Sequence, residues 1–190
     1  LLLTAYSMKL DRERYGGRFA EFQSLLQRME SVSADELLAY QATHLQRIVR
    51  HAYATVPYYR QLFDGIKLKP TDIAGPEDLV KIPMLTKALT KRNFDDLWSR
   101  RFKRNQLKDG HTSGTTGTPM EVLYDPGMMA MSYAALDRQY RWAGVSFKRL
   151  GDRVAVIRGN IIVPLSQRTS PFWRTNWYHN QLLLSNFHLS

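Results

Sequence analysis

The sequence contains no cysteine. Disulfides, thiolate metal sites and a cysteine nucleophile are therefore excluded. It also lacks any apolar run near the roughly 18 residues that a membrane helix requires. Its apolar stretches are short, Ile161–Leu165 and Leu182–Leu184 among them. His-Glu-x-x-His and Gly-x-Ser-x-Gly are both missing, which removes the usual zinc-protease and serine-hydrolase signatures. Of the five histidines, His44 and His51 fall on one expected helix, where packing or a surface role fits better than metal ligation. No repeat and no low-complexity segment is present. The opening Leu1-Leu2-Leu3 is too short for the core of a signal peptide, and Met8 is a candidate start. A soluble, cytoplasmic protein is expected.

The chain has 190 residues, 44% hydrophobic and 23% charged, an ordinary globular balance. Its formal net charge of +10 would attract polyanions. The cations are spread along the chain, however, and the densest run is Arg100–Arg104. That pattern reads as a solvated basic face rather than a nucleic-acid site.

Residues 1–105 read as a mostly helical segment. Phe19, Phe22, Leu25, Leu26 and Met29 recur at helical spacing. Ser33 and Glu36 have capping-box spacing before a second helix, which Pro57 ends. Shorter helical turns are expected over Tyr58–Phe63 and Glu77–Val80, and Thr86 caps another. Residues 106–190 read differently. Lys108–Thr112 is polar and rich in turn formers, and Met120–Tyr124 alternates like a strand. Asp125 and Pro126 suit the start of a helix that runs to about Ala143, with Gly144 as its stop. Met128, Met129 and Met131 are expected in the core of that helix, and Trp142, Trp173 and Trp177 in core packing. Val154–Ile157 is expected as a buried strand and Gln181–Ser185 as another. Strands mixed with helices point to an α/β layered domain.

The stretch richest in chemistry is Thr112-Ser113-Gly114-Thr115-Thr116-Gly117-Thr118-Pro119. Two glycines allow close backbone approach to a ligand. Successive amide N–H groups can then hold phosphate oxygens, and the hydroxyls add donors without charge. The string is not a Walker loop, because no lysine follows Gly117. Nor is it the dinucleotide fingerprint, which opens a helix. A strand is expected after this loop, so a hairpin that wraps phosphates is the better picture.

Thr112–Pro119 resembles the phosphate loop of the adenylate-forming superfamily, and within it the phenylacetate–CoA ligase and CapK-like group. Pro57-Tyr58-Tyr59-Arg60, Ile82-Pro83-Met84-Leu85-Thr86-Lys87 and Leu183–Ser190 resemble further stretches of that group. The resemblance implies an adenylate-forming N-terminal domain, here incomplete, with the helical segment leading into its layered sheet. It implies ATP, Mg²⁺ and CoA or another acyl acceptor, and a small carboxylic acid as substrate. Thr112, Ser113, Gly114, Thr115, Thr116, Gly117 and Thr118 become the nucleotide contacts. No catalytic residue and no protein metal ligand is assigned. Many members carry a lysine in or just after the loop, where this sequence has Thr118 and Met120. The group's aromatic-Gly-x-Thr-Glu segment, ribose aspartate and C-terminal lysine do not occur before Ser190. The chain is thus expected to be the front part of an acid-activating enzyme, inactive alone. The alternative is an inactive, truncated nucleotide-binding remnant linked to polysaccharide biosynthesis.

Overall fold

A computed structural model describes residues 2–112, 119–145, 152–159 and 161–188. The chain forms helices and two small sheets, an α/β mix, divided into two compact units. One unit comprises residues 28–126, and the other joins the residues up to 27 with those from 127 onward.

The 28–126 unit is built on α3 (Ala34–Thr55) and α4 (Pro57–Gly65). Ser33 caps α3 reciprocally: its Oγ accepts from the Glu36 amide at 3.2 Å, and Glu36 Oε2 accepts from the Ser33 amide at 2.8 Å. Two otherwise orphaned donors at the helix start are thereby satisfied. Pro57 ends α3 as expected and opens α4, where its missing N–H costs nothing. Lys67 closes α4 with φ +57°, and the Leu68 amide donates back to the Phe63 carbonyl at 2.9 Å. That left-handed residue followed by a return hydrogen bond is a Schellman ending. Val49, Phe63 and Ile73 form the core, backed by Leu45, Tyr53, Tyr59, Leu68 and Ile82. Phe63 is only 2% exposed, so its burial contributes about 1.5–3 kcal/mol. A 3-10 turn at Pro76–Lys81 and α5 (Lys87–Arg92), capped by Thr86, complete the helical part.

The second unit contains α1 (Leu2–Tyr15), α2 (Phe19–Met29) and α6 (Pro126–Trp142). Tyr15 packs edge-on against Phe19 and Tyr133, with ring centroids at 5.0 and 5.6 Å. Gln23 Nε2 donates to Asp137 Oδ2 at 2.7 Å. The face that α6 buries is small, with Ala130 and Ala134 at its centre. Met128 and Met131 are exposed, contrary to the expected methionine core; close helix packing here selects alanine. Gly144 ends the helix at φ +72°, and the Val145 amide returns to the Tyr140 carbonyl at 2.9 Å.

The unit's sheet has the order β3 (Val154–Arg158), β5 (Gln181–Ser185), β4 (Trp173–Asn176). β5 is central, parallel to β3 and antiparallel to β4. β3 is a strand as expected, but it is not buried. As an edge strand it alternates, and Ile157 faces outward. Trp142, Trp173 and Trp177 are also exposed, which corrects their expected core role. The Arg138 guanidinium lies over the Trp142 ring at 4.9 Å, a partner that an exposed aromatic can keep.

Candidate functional site

The two ends of the glycine–threonine stretch are held by an antiparallel pair, β1 (Lys108–His111) and β2 (Glu121–Tyr124). Lys108 lies opposite Tyr124, and His111 opposite Glu121. The pairing continues one step further. The Thr112 amide donates to the Met120 carbonyl at 2.9 Å, and the Met120 amide donates to Thr112 Oγ1 at 3.0 Å. Thr112 thus closes the mouth of the hairpin. Ser113, Gly114, Thr115, Thr116, Gly117 and Thr118 lie outside the described residues. Pro119 and Met120 carry the chain into β2.

β1 was not legible as a strand, because Lys-Asp-Gly-His has little strand propensity. Its partner supplies what it lacks. The Tyr124 ring covers Gly110, and a Cβ added there would collide with that ring. An aromatic laid over a strand glycine fixes register in the pair. On the opposite face, Arg104 forms an ion pair with Asp109 of β1 and reaches Glu121 of β2 at 3.8 Å. One guanidinium therefore spans both strands. Each of these charged groups is half-exposed, so the contribution to stability is below about 1 kcal/mol. Its main effect is on the alignment of the two strands.

Behind β2 lies an apolar cavity of about 450 Å³, lined by Tyr59, Trp98, Phe102, Leu107, Val122 and Leu123 among others. Burial raises the Tyr59 phenol pKa, which keeps it neutral against this apolar wall. The hairpin therefore rests on a hydrophobic floor. The segment that follows residues 113–118 is a strand, as expected. Among the described residues, no cluster of His, Asp and Glu could hold a metal ion, and no helix is long and apolar enough to cross a membrane.

No family model matches the chain. Individual proteins do. The phenylacetate-coenzyme A ligase of Aromatoleum evansii is 34% identical over 135 residues, which is 70% of this chain and 30% of that protein. The enzyme of the same name from Pseudomonas putida is 33% identical over 137 residues, 72% of this chain and 30% of its own. Protein CapK of Staphylococcus aureus is 30% identical over 125 residues, 64% and 27% respectively. The chain belongs to the phenylacetate–CoA ligase and CapK group. The match spans about three tenths of the length of these curated relatives. In this chain the hairpin and its closing Thr112–Met120 pair flank the glycine–threonine stretch.

Sequence reasoning missed Arg104, Gly110 and Tyr124 as supports of the loop. Arg104 lay within a basic run and carried no signal of its own. Gly110 and Tyr124 could have been linked only by knowing the strand register. His111 sits at the end of β1, exposed and opposite Glu121, immediately before the loop.

Proposed function

We propose that this chain carries the triphosphate-gripping loop of an enzyme that activates a carboxylic acid with ATP. The observation that carries the reading is the closed hairpin mouth at Thr112 and Met120. It brings both ends of a loop of two glycines and four further hydroxyl residues to one point. The named ligase relatives supply the reaction class.

In this reading Ser113, Gly114, Thr115, Thr116, Gly117 and Thr118 hold the β- and γ-phosphates through backbone N–H groups and hydroxyls. A substrate carboxylate oxygen attacks the α-phosphorus, and the bond to the bridging oxygen of pyrophosphate breaks. The products are an acyl adenylate and pyrophosphate. A thiol such as that of CoA then attacks the acyl carbon, loses its proton, and AMP departs. Mg²⁺ fits as a companion of the triphosphate, because it keeps waters and phosphate oxygens as ligands and needs few from protein. The loop's part in catalysis is positioning and charge stabilisation. The helices and small sheets would belong to a layered nucleotide-binding domain working in the cytoplasm, where ATP and CoA are supplied.

Thr118 and Met120 stand where many members have a lysine. That favours a second reading, a protein that holds nucleotide without activating an acid. Two measurements on the protein as encoded separate them: calorimetric binding of MgATP, and acid-dependent exchange of labelled pyrophosphate into ATP across a panel of arylacetic and aliphatic acids. Binding with exchange supports the first reading. Binding without exchange selects the second. No binding, in a folded protein, removes both.

A further inference from the structure

A second groove lies in the 28–126 unit, against one face of α3. Tyr40, His44, Arg47 and His51 recur at helical spacing and share that face. The core residue Val49 points elsewhere on the same helix, about 140° from His44, while Leu45 packs against the core and also lines the groove. Tyr40, His44, Arg47 and His51 are not among the residues packed in that core. The groove has a volume of about 910 Å³ and is bounded by Arg101 and Asp125 as well as those α3 residues. Ile48 and Leu79 add an apolar wall.

Its charge is unbalanced. Among the described residues, neither the Arg47 nor the Arg101 guanidinium has a carboxylate partner. Neighbouring cations on the same segment do: Arg100 pairs with Asp96 and Arg104 with Asp109. Two imidazoles, His44 and His51, face the groove beside the guanidiniums, and Asp125 is the one carboxylate among the lining residues described. The His51 Nε2 is 3.2 Å from Thr55 Oγ1. Tyr40 and His44 lie ring to ring, with centroids 4.1 Å apart and planes tilted by 36°, and supply aromatic surface to the same groove. Guanidiniums in a concave site recognise phosphate through forked, charge-assisted hydrogen bonds. An aromatic pair next to them suits a planar group attached to that phosphate.

We infer that this groove is a second anion site, which binds an organic phosphate with its phosphate on Arg47 and Arg101 and its ring on Tyr40 and His44. The inference goes beyond the loop's proposed role and does not depend on it. Phenyl phosphate is the probe, titrated at physiological ionic strength while the imidazole resonances of His44, His51 and His111 are followed by NMR. His111 adjoins the loop and reports on that site separately. The His44 and His51 signals are expected to shift and saturate, with inorganic phosphate binding several-fold more weakly than phenyl phosphate. Arg47→Gln with Arg101→Gln is expected to weaken the response at least tenfold, and Arg47→Lys with Arg101→Lys to restore part of it. Both arginine positions are exposed, so the fold does not depend on them. The same Gln variant should bind MgATP at the loop as before. Shifts confined to His111 would overturn the groove site and leave the loop reading standing. Equal shifts in the wild-type protein and the Gln variant would overturn it as well.

Discussion

Replacing Thr112 by valine tests whether the hairpin mouth governs the loop. The two residues are nearly the same shape. The Thr112 amide keeps its 2.9 Å bond to the Met120 carbonyl, since that bond is backbone only. The Met120 amide loses its 3.0 Å acceptor, Thr112 Oγ1. An intramolecular hydrogen bond has a net worth of about 0.5–1.5 kcal/mol. Thr112 is exposed, so water can replace the acceptor in part, and the lower half of that range applies. A loss of about 0.5–1 kcal/mol changes an equilibrium by a factor of about 2 to 5. Exchange of the Met120 amide with solvent should therefore quicken by that factor. If MgATP needs the closed mouth, its apparent dissociation constant should rise by no more than the same factor. Thr112→Ser retains the oxygen and should behave like the parent. Unchanged Met120 exchange in the valine variant would refute the bracing role. A fall in MgATP affinity beyond about tenfold would refute it differently, because the hydroxyl would then have to contact the nucleotide itself.

Phe63→Ala should destabilise the 28–126 unit by about 3–5 kcal/mol, measured by urea unfolding. A loss under about 1 kcal/mol would mean that the Val49–Phe63–Ile73 core does not form as described. Glu36 has its carboxyl pKa held below the ordinary 4.5 by hydrogen bonds from Ser33. Its stabilising effect is therefore complete above 4.5 and lost as pH falls through the lower folded value. Ser33→Ala should flatten that part of the acid melting profile, and an unchanged profile would count against the capping box. Tyr15 is pushed from 10.0 up to about 12, chiefly by burial and then by Tyr133. Its contribution is present below 10 and declines as pH rises toward 12. In a tyrosinate absorbance titration, Tyr15→Phe should remove a late-titrating phenol.

What could be read from the sequence depended on how local its cause was. Ser33 and Glu36 specify the start of α3 within one turn, and Pro57 specifies its end, so both were legible. Gly144 was legible as the stop of α6 for the same reason. Lys108–His111 becomes a strand only because Glu121–Tyr124 pairs with it, and that pairing was invisible in either segment alone. α1 shows no clear apolar stripe, with Tyr6 and Met8 both exposed. Its anchors are distant in sequence: Tyr178 Oη donates to Asp11 Oδ2 at 3.1 Å, and Tyr15 meets Tyr133. The methionines of α6 were misplaced because helical spacing locates a face without saying which side packs. The loop shows the opposite case. Its motif was legible residue by residue and a hairpin was expected around it, while the register that sets Lys108 opposite Tyr124 needed three-dimensional pairing.

The division of the chain has a consequence for its synthesis. The residues of α1 and most of α2 belong with the segment after residue 126, and the whole 28–126 unit is translated in between. At roughly 5–20 residues per second, that interval lasts about 5 to 20 s. Helices form in about a microsecond or less, and hairpins in microseconds. On the ribosome, α1 and α2 therefore wait millions of times longer than helices need to form before Tyr133, Asp137 and Tyr178 emerge. The intervening unit has time to fold first. During that wait the apolar side of α2 has only α1 of its own unit beside it, and this is the stage at which a chaperone would matter most.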